Sequence, residues 1–190
     1  HRMFDPGRDG FDNAVKEFGE DIIGEDGYID RGKIGALVFG NPEAMSRWTS
    51  AIGNIEEEIK SVIDGWRETL ADDQIAIMEA VNLIEAGYSG WCEATWLVAA
   101  ETATAKQRLK ARNNFNDEEA QQRLDSQRKW EDRAPASDHV FHNDGTLAEL
   151  MLDADTQIEQ TIASYKAGTL AKSNWFAWRE ANPRQPRRRD

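Results

Sequence analysis

The chain has 190 residues, of which 39% are hydrophobic, and a formal net charge of −12. This length suits one domain, or one domain with an insertion, and is enough to bury a core. The negative charge disfavours non-specific binding to nucleic acid, and no apolar run has the length needed to cross a bilayer. We therefore expect a cytoplasmic protein without nucleic-acid or membrane partners. Because the sequence starts at His1, we also expect a fragment or a processed chain.

The first third of the sequence is predicted to be helical. Apolar residues recur at helical spacing over about 10–23, which indicates an amphipathic helix. Asp30 is a candidate N-cap for a second helix, and Asn41, followed by Pro42, opens a third. A longer apolar stripe over 52–66 indicates a further helix.

Beyond these helices, short apolar runs typical of strands alternate with helical segments. The predicted strands are 74–78, 94–100 and 138–142. The predicted helices are about 102–113, 117–132 and 145–165. Strands that alternate with helices predict a parallel sheet, so the fold class is α/β.

The last segment, 171–190, is basic and contains helix-breaking prolines, so we predict that it is disordered. Its removal after Lys172 is then expected to leave the fold intact. One alternative is that Trp175 or Trp178 docks the start of this segment onto the core. Another is a contact between its arginines and an acidic partner or the chain's own acidic face.

Several short motifs occur in an order that resembles one enzyme family. They are Pro6-Gly7, Phe18-Gly19, Asp26–Arg31, Val38-Phe39, Leu83–Gly87, Gln107–Arg112, Ala120–Gln127 and Ser137–Gly145. Together they resemble dephospho-coenzyme A kinases over roughly His1–Ala167. The first four resemble that family's coenzyme-binding helical region. The others resemble its acidic motif, its lid, the helix after the lid, and its last strand with the nucleotide-base loop.

This resemblance implies a fold and a reaction. The fold would be a P-loop kinase-like three-layer parallel sheet with a helical coenzyme-binding insert, lacking its first strand and phosphate loop. The helical region would occupy 1–72, the kinase core with its lid 73–170, and the basic tail 171–190. The reaction would transfer the terminal phosphate of ATP to the 3′-hydroxyl of dephospho-coenzyme A, with Mg²⁺.

Three departures from the family pattern concern substrate contacts and the phosphate site. Gly53-Asn54 stands where the family has His-Pro, and 81–83 stands where it has Pro-Leu-Leu. The family's Gly-rich phosphate loop and Asp-x-Asp segment do not occur in the 190 residues. Gly32-Lys33 does not replace the loop, because Ile34 lacks the hydroxyl that binds Mg²⁺.

Two hypotheses about activity follow from these departures. In the first, the chain is a kinase whose Mg²⁺ ligands lie in a phosphate-loop segment, so the chain alone is inactive. The alternative is a non-catalytic remnant or interaction protein of the same fold.

The resemblance also suggests four site residues, each with a simpler interpretation beside it. Arg108 and Arg112, four residues apart on one helix face, would be catalytic and neutralise transition-state charge. Their spacing alone favours a solvated helix face, and the family resemblance reverses that preference. Arg31 would bind a phosphate of the coenzyme, or else pair with a neighbouring acid. Asn143 would bind the adenine base, or else cap the next helix.

Other reactive residues receive no role. His139 and His142 would face opposite sides of a strand, so we predict no metal site there. Cys92 is expected to be a packed thiol. Glu79 and Glu85 are assigned no catalytic role, because the family's proposed base lies in the Asp-x-Asp segment.

Overall fold

Two units, His1–Leu70 and Ala71–Asp190, make up the structure, a computed structural model that describes residues 2–71 and 73–183. Each unit has its own apolar core. In the described ranges, no helix combines the length and the apolar character that crossing a membrane requires.

The first unit is helical, as predicted. Its helices are α1 (Asp9–Phe18), α2 (Arg31–Val38), α3 (Pro42–Ile52) and α4 (Ile55–Thr69). The predicted cap is confirmed, because the Asp30 carboxylate accepts hydrogen bonds from the first turn of α2. The helix start predicted at Asn41-Pro42 is confirmed as well, and the Asn41 side chain accepts a hydrogen bond from the first turn of α3. The buried core comprises Ala14, Ile22, Ile29, Ile34, Val38 and Ala44.

Glycines shorten two of the predicted helices. The helix expected over about 10–23 ends at Phe18, since Gly19 adopts a φ of 85° that ordinary residues rarely adopt. Gly53, with a φ of 90°, separates α3 from α4, so the apolar stripe over 52–66 is divided between two helices.

The second unit combines helices with a small parallel sheet. Its elements are α5 (Leu83–Ala86), β1 (Trp96–Ala99), α6 (Thr102–Asn113), α7 (Asp117–Asp125), β2 (His139–His142), α8 (Leu147–Lys166) and α9 (Asn174–Ala181). Strand β1 pairs with β2 in parallel, from Trp96 opposite His139 to Ala99 opposite His142. The predicted α/β class, the parallel pairing and the helix 102–113 are confirmed.

Two predictions for this unit are wrong. The segment 74–78 forms no strand, and Ile77 is 63% exposed. A strand needs a neighbour for its backbone hydrogen bonds, and among the described residues only β1 and β2 pair as strands of a sheet. The helix expected over 117–132 ends at Asp125, and turns follow it.

Disorder is also wrong for the part of the last segment that forms α9. Trp175 is only 8% exposed and packs with Ile84 and Ala136 in the core of this unit. A Cβ atom at Gly90 would lie 2.8 Å from the Trp175 ring, so the absence of a side chain there permits the close contact. The docking alternative is therefore confirmed for Trp175, whereas 184–190 lie outside the described residues.

Deletion after Lys172 is consequently expected to destabilise the second unit rather than leave it intact. As the sharper test, Trp175→Ala should lower the free energy of unfolding by about 3–5 kcal/mol, because it leaves a cavity in the core. Denaturant unfolding measures this change. Tyr165→Ala is the control, since Tyr165 is 59% exposed and should change stability by less than about 0.5 kcal/mol. Equal effects of the two substitutions would contradict the docking of α9.

Candidate active site

The carboxyl ends of β1 and β2 bring several predicted site residues together. Helix α6, which carries Arg108 and Arg112, begins three residues after β1, and Asn143 directly follows β2. Because the two strands are parallel, these segments leave the sheet at the same edge. In α/β sheets this edge is where ligands commonly bind.

A direct contact joins Arg108 to the loop after β2. Its Nη1 atom donates a hydrogen bond of 2.6 Å to the backbone oxygen of Asn143. The backbone nitrogen of Asn143 in turn donates to the oxygen of Ala99, at 2.7 Å. The lid segment and the nucleotide-base loop suggested by the sequence are therefore adjacent.

Arg112 lies one helical turn beyond Arg108 and is exposed. Its Nε atom donates to the side chain of the neighbouring Asn113, at 3.0 Å. Both arginines belong to the same face of α6, and Arg112 is in the last turn, where a positive charge is favourable.

The side chain of Asn143 does not cap α8. Thr146 is the N-cap, and it forms a reciprocal capping box with Glu149. The helix-cap interpretation of Asn143 is therefore wrong. No hydrogen bond of its side-chain amide is found within the described part of the chain, so the amide remains available to a ligand.

Arg31 belongs to the other unit and is described by itself. It is the first residue of α2, it is exposed, and no acidic partner of it is found among residues 2–71 and 73–183. The Asp30 carboxylate already accepts hydrogen bonds from the amides of Gly32 and Lys33. An anion at this position would therefore depend on the guanidinium of Arg31 more than on the helix amides.

Asp144 connects α6 to the loop after β2, and the sequence reasoning gave it no role. Its carboxylate accepts hydrogen bonds from the side chain of Thr104 and from the amide of Glu101, the latter at 2.9 Å. These bonds, followed by the positive charge of Arg108, hold the pKa of Asp144 below its ordinary value. Its position beside Asn143 in the motif was the available signal.

The pKa of Asp144 predicts the pH dependence of this connection. A carboxyl whose pKa is lower in the folded state stabilises that state above its unfolded pKa of about 4. The stabilisation is lost as the pH falls through the lowered pKa. Asp144→Asn should therefore lower the free energy of unfolding near pH 6. The difference in unfolding free energy between the variant and the parent chain should become smaller towards pH 2. Denaturant unfolding over this range measures the effect, and a difference that is independent of pH would contradict it.

A cluster near Asp144 does not fit Mg²⁺. Potential ligand atoms of Glu101, His142 and Asp144 lie within 4.8 Å of one another, and all three residues are exposed. Mg²⁺ prefers oxygen ligands in octahedral geometry, whereas one of the three is an imidazole and the positive charge of Arg108 acts on Asp144. We therefore assign no Mg²⁺ to this cluster.

The remaining reactive residues have ordinary contacts. His139 lies 3.2 Å from the Asp153 carboxylate. The half-buried thiol of Cys92 lies 3.6 Å from the backbone oxygen of Tyr88, which fits a packed side chain.

Comparison with known proteins places this arrangement in a family. The family model described as dephospho-CoA kinase matches residues 1–149. The chain belongs to the dephospho-CoA kinase family. The match includes Arg31, Arg108, Arg112 and Asn143, and it ends within α8.

Individual dephospho-CoA kinases agree with this assignment. The enzyme of Streptococcus pyogenes serotype M1 is 39% identical over 140 residues, which cover 73% of this chain and 70% of that enzyme. The enzyme of Streptococcus pneumoniae is 32% identical over 154 residues, covering 80% and 74% of the two chains.

A solved structure supports the fold alone. A crystal structure from Thermus thermophilus superposes with a TM-score of 0.58 at 23% identity, covering 79% of this chain and 75% of the other. The α/β fold, predominantly helical with a small parallel sheet, thus has a counterpart among solved structures.

Proposed function

We propose that this chain supplies the coenzyme-binding and lid parts of an ATP-dependent dephospho-CoA kinase. The enzyme would transfer the terminal phosphate of ATP to the 3′-hydroxyl of dephospho-coenzyme A. The family match over residues 1–149 carries this proposal. The contact between Arg108 and the Asn143 loop supports a nucleotide site at the carboxyl edge of the sheet.

The complete fold would be a three-layer parallel sheet of the P-loop kinase type. Parallel sheets are normally covered on both faces. Here β1 pairs only with β2 among the described residues, and Val98 of β1 is 61% exposed. The apolar side chains of Ile77 and Val81 are also exposed. An added strand beside β1, leading into a phosphate loop, would pair this open edge and cover apolar surface.

The coenzyme would bind mainly to 1–72, and ATP to the core formed by 73–170. In the first segment, the exposed guanidinium of Arg31 would bind a phosphate of dephospho-coenzyme A. In the second, the free side-chain amide of Asn143 would hydrogen-bond the adenine base. Both roles rest on side chains that have no competing partner within the described ranges.

Arg108 and Arg112 would neutralise the charge that develops on the transferred phosphoryl group. Such transfer depends mainly on positioning and on electrostatic stabilisation of the phosphate oxygens. Arg108 is held at the Asn143 loop, so a triphosphate bound there would meet its guanidinium first. Arg112, one turn away, would approach the terminal phosphate as the lid closes.

Mg²⁺ is expected to be held by a phosphate-loop segment rather than by the residues described above. Mg²⁺ held there would supply positive charge that offsets the negative charge of the ATP phosphates. Arg108 and Arg112 would likewise offset the negative charge of the phosphates, acting from α6.

The test joins the chain to a phosphate-loop segment taken from a family member. Dephospho-coenzyme A, ATP and Mg²⁺ are supplied, and the product is identified by mass spectrometry and by the position of its new phosphate. Formation of coenzyme A supports the proposal. A folded joined protein that binds neither substrate would favour the remnant hypothesis instead.

A further inference from the structure

The acidic motif, 83–87, forms a single helical turn that depends on tertiary contacts for its stability. It contains the four-residue helix α5, and helices this short are unstable without tertiary contacts. One oxygen of Glu85, Oε1, lies 2.7 Å from Nε of Arg133 in a mostly buried ion pair. The other, Oε2, is buried and has no hydrogen-bond partner within the described residues. A buried carboxylate oxygen without a donor costs free energy, so other contacts must stabilise this arrangement.

Helix α9 supplies those contacts. The Nη2 atom of Arg179 donates to the backbone oxygens of Ile84, at 2.7 Å, and Glu85, at 2.9 Å. The indole nitrogen of Trp175 donates to the same oxygen of Ile84, at 3.0 Å. Carbonyl groups in the last turn of a helix lack partners within it, and a positive charge is favourable there.

Helix α9 is itself anchored to the sheet. The backbone nitrogen of Asn174 donates to one oxygen of the Asp138 carboxylate, at 2.7 Å. The backbone nitrogen of Thr95 donates to the other oxygen, also at 2.7 Å. Asp138 thus connects the start of α9 with the residues just before β1 and β2, so the position of Arg179 is set relative to the sheet.

We propose that α9 is an internal clamp that orients Glu85, with Arg179 as the positioning residue. Arg179 would act through the backbone of Glu85, whose carboxylate then meets Arg133. The clamp lies beyond residue 149, where the family match ends, so the match does not describe it. The evidence for the clamp is a set of hydrogen bonds, so the clamp does not depend on the proposed kinase reaction.

The test uses nuclear magnetic resonance on the full chain and compares Arg179→Met with Arg123→Met. Arg123 is an exposed arginine of α7 and serves as the matched control. In Arg179→Met, the amides of Ala86 and Gly87 should exchange with solvent about 10- to 100-fold faster, as expected for the loss of charge-assisted hydrogen bonds. The Nε–H signal of Arg133 should shift, because its carboxylate partner moves. Amides of α6 should be unchanged, and Arg123→Met should leave all of these signals unchanged.

Two results would overturn the clamp. One is parent-like exchange in the motif together with an unchanged Arg133 signal. The other is an equal acceleration of exchange in α6, which would show general destabilisation rather than positioning. Arg179→Lys keeps a positively charged donor on a side chain only one atom shorter, and it should give the same local pattern at lower amplitude. This variant carries the test if the Met variant does not fold.

Discussion

Without a phosphate-loop segment, the chain is expected to give no detectable transfer of phosphate from ATP to dephospho-coenzyme A. In P-loop enzymes, backbone amides and a lysine of the loop hold the phosphates, and a loop hydroxyl holds Mg²⁺. Gly32-Lys33 cannot serve, because Ile34 follows it and because Asp30 occupies the Gly32 and Lys33 amides. The measurement is a coupled assay of the chain alone and of the same chain joined to the loop segment.

The control is a second joined protein in which the lysine of the added loop is replaced by alanine. It tests whether the loop itself, rather than added length or improved folding, restores turnover. Circular dichroism establishes that all three proteins are folded. Turnover by the chain alone at the level of the joined protein would contradict this prediction and would require a phosphate site within the chain.

Arg112→Ala in the joined protein is expected to lower turnover by about 10²- to 10³-fold, the effect typical of removing one group that stabilises transition-state charge. Arg112 is the better choice than Arg108, whose hydrogen bond to Asn143 mixes a structural role with a chemical one. Because Arg112 is exposed, its loss should change the free energy of unfolding by less than about 0.5 kcal/mol. Turnover and denaturant unfolding are measured on the same preparations.

Two further variants test whether turnover depends on the position of the arginine or only on its positive charge. Arg123→Ala removes an exposed arginine from the neighbouring helix α7 and should leave turnover unchanged. Arg112→Lys keeps the charge but not the forked donor geometry, so it should recover only part of the lost turnover. Normal turnover in Arg112→Ala would remove Arg112 from the site, and severe unfolding would show that it is structural.

Local sequence signals predicted much of the fold correctly, because they act over a few residues. Asp30 and Asn41 cap helices through hydrogen bonds to amides two or three positions ahead, so their pattern can be recognised in the sequence. Helix α6 has the predicted bounds, and both strands of the observed sheet were expected. The ordered motifs also led to the family that the comparisons show.

Two predictions failed because they depend on partners that are distant in sequence. These are the strand at 74–78 and the disorder of the segment that forms α9. The apolar pattern of 74–78 fits a strand, but a strand forms only where a neighbour accepts its hydrogen bonds. The composition around α9 resembles a disordered tail, yet Trp175 reaches Ile84, 91 residues away in sequence. The burial of Trp175 stabilises α9 despite a local composition that favours disorder.

The candidate site shows the same division between local and tertiary information. Residue type and motif order, which are local properties, were enough to select Arg108, Arg112, Asn143 and Arg31 as candidate site residues. The cap of α8 was also open to local reasoning, since Thr146 and Glu149 match the capping-box pattern. The folded structure was needed to show that Arg108 meets the Asn143 loop and that Asp144 joins that loop to α6. These contacts follow from the parallel pairing of β1 and β2, which brings residues more than 30 positions apart to one edge of the sheet.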